Sequence, residues 1–233
     1  MNYGIVPQMR ETTLSKTLAF LHTSPVHIAT FGQLLAEIDP SVAARHIVDE
    51  SLLEEARAAG EITPALEQRI AAALRDASAP DGAVVLCTCS TIGGCAEAAG
   101  TRAGCVVLRI DRPMAERAVA LGDRILVAAA LASTLAPTRA LILDAARAAG
   151  QQIELRDLLC EPAWALFERG DLAGYAQAIA KELRAAAGVA DVIVLAQASM
   201  AAAAPLCADL GIPILSSPRL GLEAALAAHY AQA

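Results

Sequence analysis

Short apolar runs alternate along this chain with longer Ala/Leu-rich stretches of helical period. Val84-Val85-Leu86-Cys87 is apolar, breaks into the small polar turn Thr88-Cys89-Ser90-Thr91, and passes into a Gly/Ala-rich segment. Val192-Ile193-Val194-Leu195 does the same before Ala196-Gln197-Ala198-Ser199. Setting the two polar turns over each other defines an offset of 108 residues and places Cys89 opposite Gln197. The same offset lays Thr17 to His22 on Ile125 to Ala130, Ala44 to Val48 on the region of Gln152 to Arg156, and Cys105 to Arg109 on Pro213 to Ser217. Each run is nearly continuous in apolar character, as expected of strands covered on both faces.

Helical stretches separate the runs: Leu52 to Gly60, Ala65 to Ala77, Thr138 to Gly150 and Leu172 to Gly188. Strand and helix in alternation predict βαβ units and parallel sheets. The expected fold is α/β, with two pseudo-symmetric lobes, each a parallel sheet of about four strands flanked by helices. Residues 17–113 form the first lobe and 114–216 the second. A C-terminal helix within 217–233, over Leu220 to Ala231, is expected to cross back onto the first lobe. Residues 1–16 are polar, contain Pro7, and read as an N-terminal extension or interface arm.

Composition narrows the functions. The chain is 56% hydrophobic over 233 residues, enough for two cores. A net charge of −7 leaves no basic stripe to neutralise phosphates, and an aromatic content of 3% offers no base-stacking platform, so nucleic acid is not an expected partner. The most apolar stretch, Asp191 to Leu215, is interrupted by Gln197, Pro205, Asp209 and Pro213, which reads as strand, helix, strand and not as a membrane span. No signal-peptide pattern opens the chain, and several of the six cysteines sit within apolar runs, so a cytoplasmic protein with reduced thiols is expected.

Cys89 is the chemical candidate. It falls where a strand ends and a helix begins, and parallel α/β sheets bind ligands outside the carboxyl ends of their strands. A thiol at a helix N-terminus is biased toward thiolate, so a lowered pKa is expected. Gly93 and Gly94 would leave the first turn bare, with amides open to a ligand. Cys87-x-Cys89-x5-Cys95 lacks a second pair or adjacent His to complete a metal set, so no metal is expected.

Four segments together resemble the aspartate/glutamate racemase superfamily, which includes hydantoin racemases, maleate isomerases and arylmalonate decarboxylases. They are Leu21-His22-Thr23-Ser24-Pro25, Cys89-Ser90-Thr91 (similar to the family's Cys-Asn-Thr), Thr134-Leu135-Ala136-Pro137-Thr138, and Leu195 to Met200 (similar to its Leu-Gly-Cys-Ala/Thr). The resemblance spans the chain from Thr17 onward. It implies an active site between two lobes, no cofactor, and two cysteines flanking a carbon next to a carboxylate. This chain keeps the first cysteine and has Gln197 at the second position, which carries no titratable proton near neutral pH. The decarboxylases of the family also keep one cysteine, but in the second lobe.

The expected function is a cofactor-independent racemase or isomerase with Cys89 as acid/base. One-thiol decarboxylation and non-catalytic carboxylate binding are the alternatives. His22, at the end of the first strand, is the expected second catalytic residue, and His27 is expected to be less involved. Ser24, Ser90, Thr91, Thr134, Gln197, Ala198 and Ser199 are placed to hold a small carboxylate or amino-acid-like substrate. For Ser90, Thr91 and Ser199 helix capping is an equal reading. Pro137 suits a helix's first turn. Arg112 could reach an anion from the interlobe connection. Assembly with further copies of the chain is left open.

Overall fold

The structure, a computed structural model, describes residues 17–79 and 83–232. The expected N-terminal extension lies outside the described residues. The first sheet comprises β1 (Leu18–His22), β2 (Ala44–Val48), β3 (Val85–Cys87) and β4 (Val107–Arg109). The second comprises β5 (Arg124–Ala129), β6 (Glu154–Leu159), β7 (Val192–Leu195) and β8 (Ile214–Ser216). Strand orders are β2-β1-β3-β4 and β6-β5-β7-β8, so one permutation serves both halves. Every pairing is parallel. Two parallel four-stranded sheets flanked by helices match the expected fold class.

Side chains alternate across a strand, so each sheet carries two cores. On the first sheet, Ala19, Leu21, Val85 and Cys87 face α2 (Ser51–Ala59), α3 (Pro64–Ser78) and α4 (Ser90–Ala103) through Leu52, Ile70 and Ile92. Leu18, Phe20, Val84 and Leu86 face α1 (Val26–Ile38) and α9 (Ser217–Ala231) through Phe31, Leu35, Leu222 and Leu226. On the second sheet, Leu126, Ala128, Ile193 and Leu195 face α7 (Glu161–Glu168) and α8 (Leu172–Ala186). Ile125, Val127, Ala129, Val192 and Val194 face α5 (Arg112–Leu121) and α6 (Ala132–Ala149). The central strands β1, β3 and β7 are buried throughout, whereas the edge strands β2 and β6 are partly exposed.

The helix after each fourth strand crosses to the opposite sheet. α5 follows β4 yet packs on the second sheet through Met114, Ala118 and Val119. α9 follows β8 yet packs on the first. Its approach to the end of β4 is so close that a Cβ on Gly221 would lie 2.3 Å from the Ile110 carbonyl oxygen.

The β4–α5 crossover is anchored electrostatically. Arg109 Nε and Nη2 donate to the two Asp111 carboxylate oxygens at 2.7 and 3.0 Å, with both residues buried. Gly93 makes room for this pair, since a Cβ there would lie 3.2 Å from Arg109 Cβ. Gly93 and Gly94 therefore accommodate Arg109 and do not bare a ligand-binding turn. Arg112 pairs with Glu97, with Nε donating at 2.9 Å, so its guanidinium is not left for a substrate anion.

Two elements differ from expectation. α6 starts at Ala132, and Pro137 lies inside it, removing the N–H that would bond to the Ser133 carbonyl. After β7 there is no α-helix: two 3-10 segments, Ala198–Ala203 and Pro205–Leu210, fill the connection. Pro205 supplies no N–H to continue a helical ladder across that junction.

The buried ion pair yields a stability prediction. Asp111→Ala strands the Arg109 guanidinium without its counter-charge, so urea denaturation should show a loss of about 3–5 kcal/mol. A loss under about 1 kcal/mol would show that the crossover does not depend on this pair.

Candidate active site

In each sheet the connections leave in opposite directions from the two central strands, which creates a topological switch point beyond their carboxyl ends. In the first sheet it lies past β1 and β3, at Thr23 and Thr88-Cys89. In the second it lies past β5 and β7, at Leu131 and Gln197. The two switch points open onto one cleft that both lobes line. Of the residues expected at the site, Ser24, Cys89, Ser90, Thr91, Thr134, Gln197, Ala198 and Ser199 line it, and His22 does not.

Cys89 itself occupies the N-cap position of α4, in extended backbone conformation. Neither Ser90 nor Thr91 is the cap. The hydroxyls of Thr23 and Thr91 and the amides of Thr91 and Ile92 face the sulfur as donors. These donors favour the thiolate, but burial outweighs them and raises the thiol above its ordinary range. The expectation of a lowered pKa is corrected: Cys89 is 9% exposed, and desolvation exceeds what four donors return. At neutral pH the side chain is a protonated thiol with an acceptor-ready setting. Ser90 is buried beside it, its hydroxyl without a partner among the described residues.

His22 is fully buried, for a reason that follows from strand parity. Leu18, Phe20 and His22 share one face of β1, under α1, and the His22 ring stacks on Phe20 and Phe31. Its Nδ1 lies 2.8 Å from Thr88 Oγ1 and its Nε2 2.9 Å from His46 Nδ1. The Thr88 hydroxyl donates to the Leu21 carbonyl at 3.2 Å, so it accepts from His22 Nδ1–H. His22 Nε2 then accepts from His46 Nδ1–H. Both ring nitrogens are committed, and burial, reinforced by the neighbouring His27 and His46, pushes the pKa down to about 3. As placed here, His22 steadies Thr88 beneath the cleft instead of entering it.

The second half-site is built differently. Gln197 Oε1 accepts from the amides of Ala130 at 2.7 Å and Leu131 at 3.0 Å. Only the oxygen of a carboxamide can accept, so the Nε2 hydrogens remain as donors. No α-helix follows, so the macrodipole that faces Cys89 has no counterpart here. Ser199 is held by Tyr175, with hydroxyls 3.0 Å apart, and Ala198 contributes only its buried methyl and backbone. Thr91 and Thr134 meet across the lobes, with hydroxyls 3.4 Å apart.

No protein-family model and no curated protein matches the chain. Solved structures do match. An aspartate racemase from Picrophilus torridus superposes with a TM-score of 0.69 at 14% identity, covering 92% of this chain and 94% of that one. A glutamate racemase from Francisella tularensis, in complex with D-glutamate, superposes at 0.69 with 16% identity, covering 94% and 82%. A mutant arylmalonate decarboxylase in a sulfate-associated form superposes at 0.57 with 18% identity, covering 93% and 94%. The fold is that of the aspartate and glutamate racemases.

Within this racemase fold the cleft also holds residues that motif reading passed over. His27, in the first turn of α1, lines it in place of His22, and burial pushes its pKa down to about 4. Leu53 of α2 and Trp164 and Phe167 of α7 form an apolar rim. Helical period within α2 and α7 was the signal available, but nothing in it distinguished a rim from a core. The cleft's free volume is about 40 Å³, room for roughly three water molecules. The lobes are clasped at the rim by Arg57, whose guanidinium carbon sits 5.8 Å from the centre of the Trp164 ring and whose Nη1 lies 3.6 Å from Glu168.

Two predictions follow from these environments. In native protein near neutral pH, iodoacetamide should modify the half-exposed Cys95 and Cys105 before Cys89, with the Cys89 rate climbing as pH rises. Peptide mapping that found Cys89 modified first would contradict the burial argument.

The histidines set a pH dependence. Unfolded His22 and His27 protonate near 6.5, but in the native protein only near 3 and 4. Between those limits the unfolded state binds more protons, so stability is present above pH 6.5 and falls as pH drops. From pH 7 to pH 5 buried His22 alone should account for roughly 2 kcal/mol, measured by urea midpoints. His22→Asn should flatten this limb; an unchanged slope would remove His22 as its source.

Proposed function

We propose that this chain is a cofactor-independent enzyme of the isomerase class acting at a carbon next to a carboxylate, with the Cys89 thiol as its proton carrier. The observation that carries the reading is the pairing across one cleft of a buried thiol faced by hydroxyl and amide donors with a carboxamide that cannot titrate. The substrate carboxylate is bound by the free Ser90 hydroxyl, the Ser199 hydroxyl and Gln197 Nε2. As charge builds on that carboxylate in an enolate-like state, these fixed donors stabilise it without reorganising. Cys89 as thiolate takes the α-proton and as thiol returns a proton on the same first-lobe face; at one carbon this exchanges the proton with retention, so isomerisation by this thiol alone moves the proton along that face to a second carbon conjugated with the enolate.

A second reading, decarboxylation, is favoured by the resting state of Cys89. A protonated thiol is suited to the half-reaction in which the C–CO2 bond breaks, its electron pair stays on the α-carbon, and CO2 leaves. Cys89 then gives its proton to that carbon and is re-protonated from solvent. Both readings require one-face delivery.

Turnover of α-substituted carboxylates in deuterated water tests this. Deuterium should enter on a single face, and Cys89→Ala should abolish the incorporation. Gln197→Ala should weaken binding or rate while leaving the stereochemistry intact, about the effect of losing one hydrogen bond to a charged group, 1.5–3 kcal/mol. Label on both faces would reveal a second base, and His27 is the imidazole in the cleft. Binding without exchange or turnover would leave a carboxylate-binding protein.

A further inference from the structure

We infer that His22 and Thr88 are positioning residues: the hydrogen bond between their side chains holds the Thr23 hydroxyl against the Cys89 sulfur, so His22 acts on the thiol without entering the cleft. The inference rests on the proposed function in giving Cys89 a part in the reaction.

Strand register stacks two pairs of residues, one above the other. β1 and β3 run with Ala19 level with Val85, Phe20 with Leu86 and Leu21 with Cys87. The next two steps bring His22 level with Thr88 and Thr23 level with Cys89. Side chains alternate across a strand. The first pair therefore turns under α1, and the second turns to the cleft, which Thr23 and Cys89 line. Of the donors that face the sulfur, Thr91 and the Ile92 amide belong to α4, the helix that Cys89 itself caps. Thr23 comes from the end of β1. Its place against the thiol depends on how the ends of β1 and β3 are joined.

His22 and Thr88 make that joint. The Thr88 amide and hydroxyl both donate to the Leu21 carbonyl, at 3.0 and 3.2 Å. The Thr88 hydroxyl oxygen accepts from His22 Nδ1–H at 2.8 Å. His22 is tied to the β2 side as well: its carbonyl accepts from the Asp49 amide at 3.0 Å, and its Nε2 accepts from His46 at 2.9 Å. Phe20 and Phe31 close on the ring, each with its centroid 5.7 Å away. One buried imidazole thus links the ends of β1, β2 and β3 directly beneath the thiol. Hydrogen bonds weaken steeply with angle, so a small rotation of either strand end would take the Thr23 hydroxyl off the sulfur.

Below its titration point, the alkylation rate of a cysteine follows its thiolate fraction. Iodoacetamide labelling of the full chain between pH 7 and pH 9, with peptide mapping and Cys95 and Cys105 as internal references, therefore reads the Thr23 contact. Thr23→Val should slow Cys89 at least about tenfold at fixed pH, the scale of one hydrogen bond to a charged group. Thr88→Val and His22→Leu should slow it too. His22→Asn, whose amide can still donate to Thr88, should stay within about threefold of wild type. Adding Thr88→Val to Thr23→Val should slow it no further, because both act through one contact. A merely structural role has the opposite sign: a loosened site admits water, relieves the desolvation of the thiolate and speeds labelling. Faster or unchanged labelling in folded Thr88→Val would overturn the inference, as would additive effects of the two valines. If Thr88→Val does not fold, Thr88→Ala, which leaves room for water at His22 Nδ1, carries the same expectation. Solvent exchange into substrate is read separately. Coupling without exchange fails only the catalytic reading; exchange without coupling fails only this inference.

Discussion

Each sheet in this molecule closes one of its faces with a helix that follows the other sheet. α5 emerges from the first sheet and covers the second, and α9 emerges from the second and covers the first. Neither lobe can complete its apolar core alone, because a sheet with an uncovered face would leave Phe20 and Leu86, or Val127 and Val194, in water. This reciprocal burial holds the lobes as a unit and sets their switch points across one cleft. The buried Arg109–Asp111 pair lies at one of the two crossings. There the chain changes allegiance from one sheet to the other, and the close fit of Gly221 against Ile110 marks where the returning helix docks.

The cleft that results is asymmetric although the scaffold is not. On the first side a full α-helix directs its amides at a sulfur. On the second, a carboxamide consumes two backbone amides and is followed by 3-10 turns. The burial that defines the site also decides the protonation state of its thiol. Desolvation prevails over dipole and hydrogen bonds, so the resting group is an acid with donors around it. Those donors return part of the desolvation cost once the proton has gone, and the remainder is met when the thiolate forms.

Much of the fold was legible in the sequence because its signals are periodic. The 108-residue offset located all eight strands, since continuous Val/Ile/Leu runs have few other uses. The cysteine and most of the polar cleft residues followed from chain position at strand ends. His22 did not, because one residue of strand parity separates the cleft from the core, and its side chain went with Phe20. His27, one turn further on, was ranked below His22 because the local sequence does not show which side of the first turn of α1 meets the cleft. The pKa of Cys89 was misjudged because local sequence displays the helix N-terminus but not the depth of burial. The 3-10 segments defeated a reading by symmetry, as Pro205 breaks the ladder that α4 keeps. The Trp164–Phe167 rim was invisible, since its partner wall is more than a hundred residues away.

The contact made by Gln197 bears on how readily this half-site could change. Its side chain is long enough to satisfy two adjacent backbone donors at once. A cysteine in its place would be two atoms shorter and a weak acceptor, leaving the amides of Ala130 and Leu131 exposed to the cleft at about 1–3 kcal/mol each if dry. A single codon change therefore does not interconvert the one-thiol and two-thiol sites. The intermediate is a destabilised protein with a fresh anion-binding notch, and a path between the two states must first reshape the β5–α6 turn. The carboxamide acts as a ratchet, kept in the second half-site by the cost of removing it.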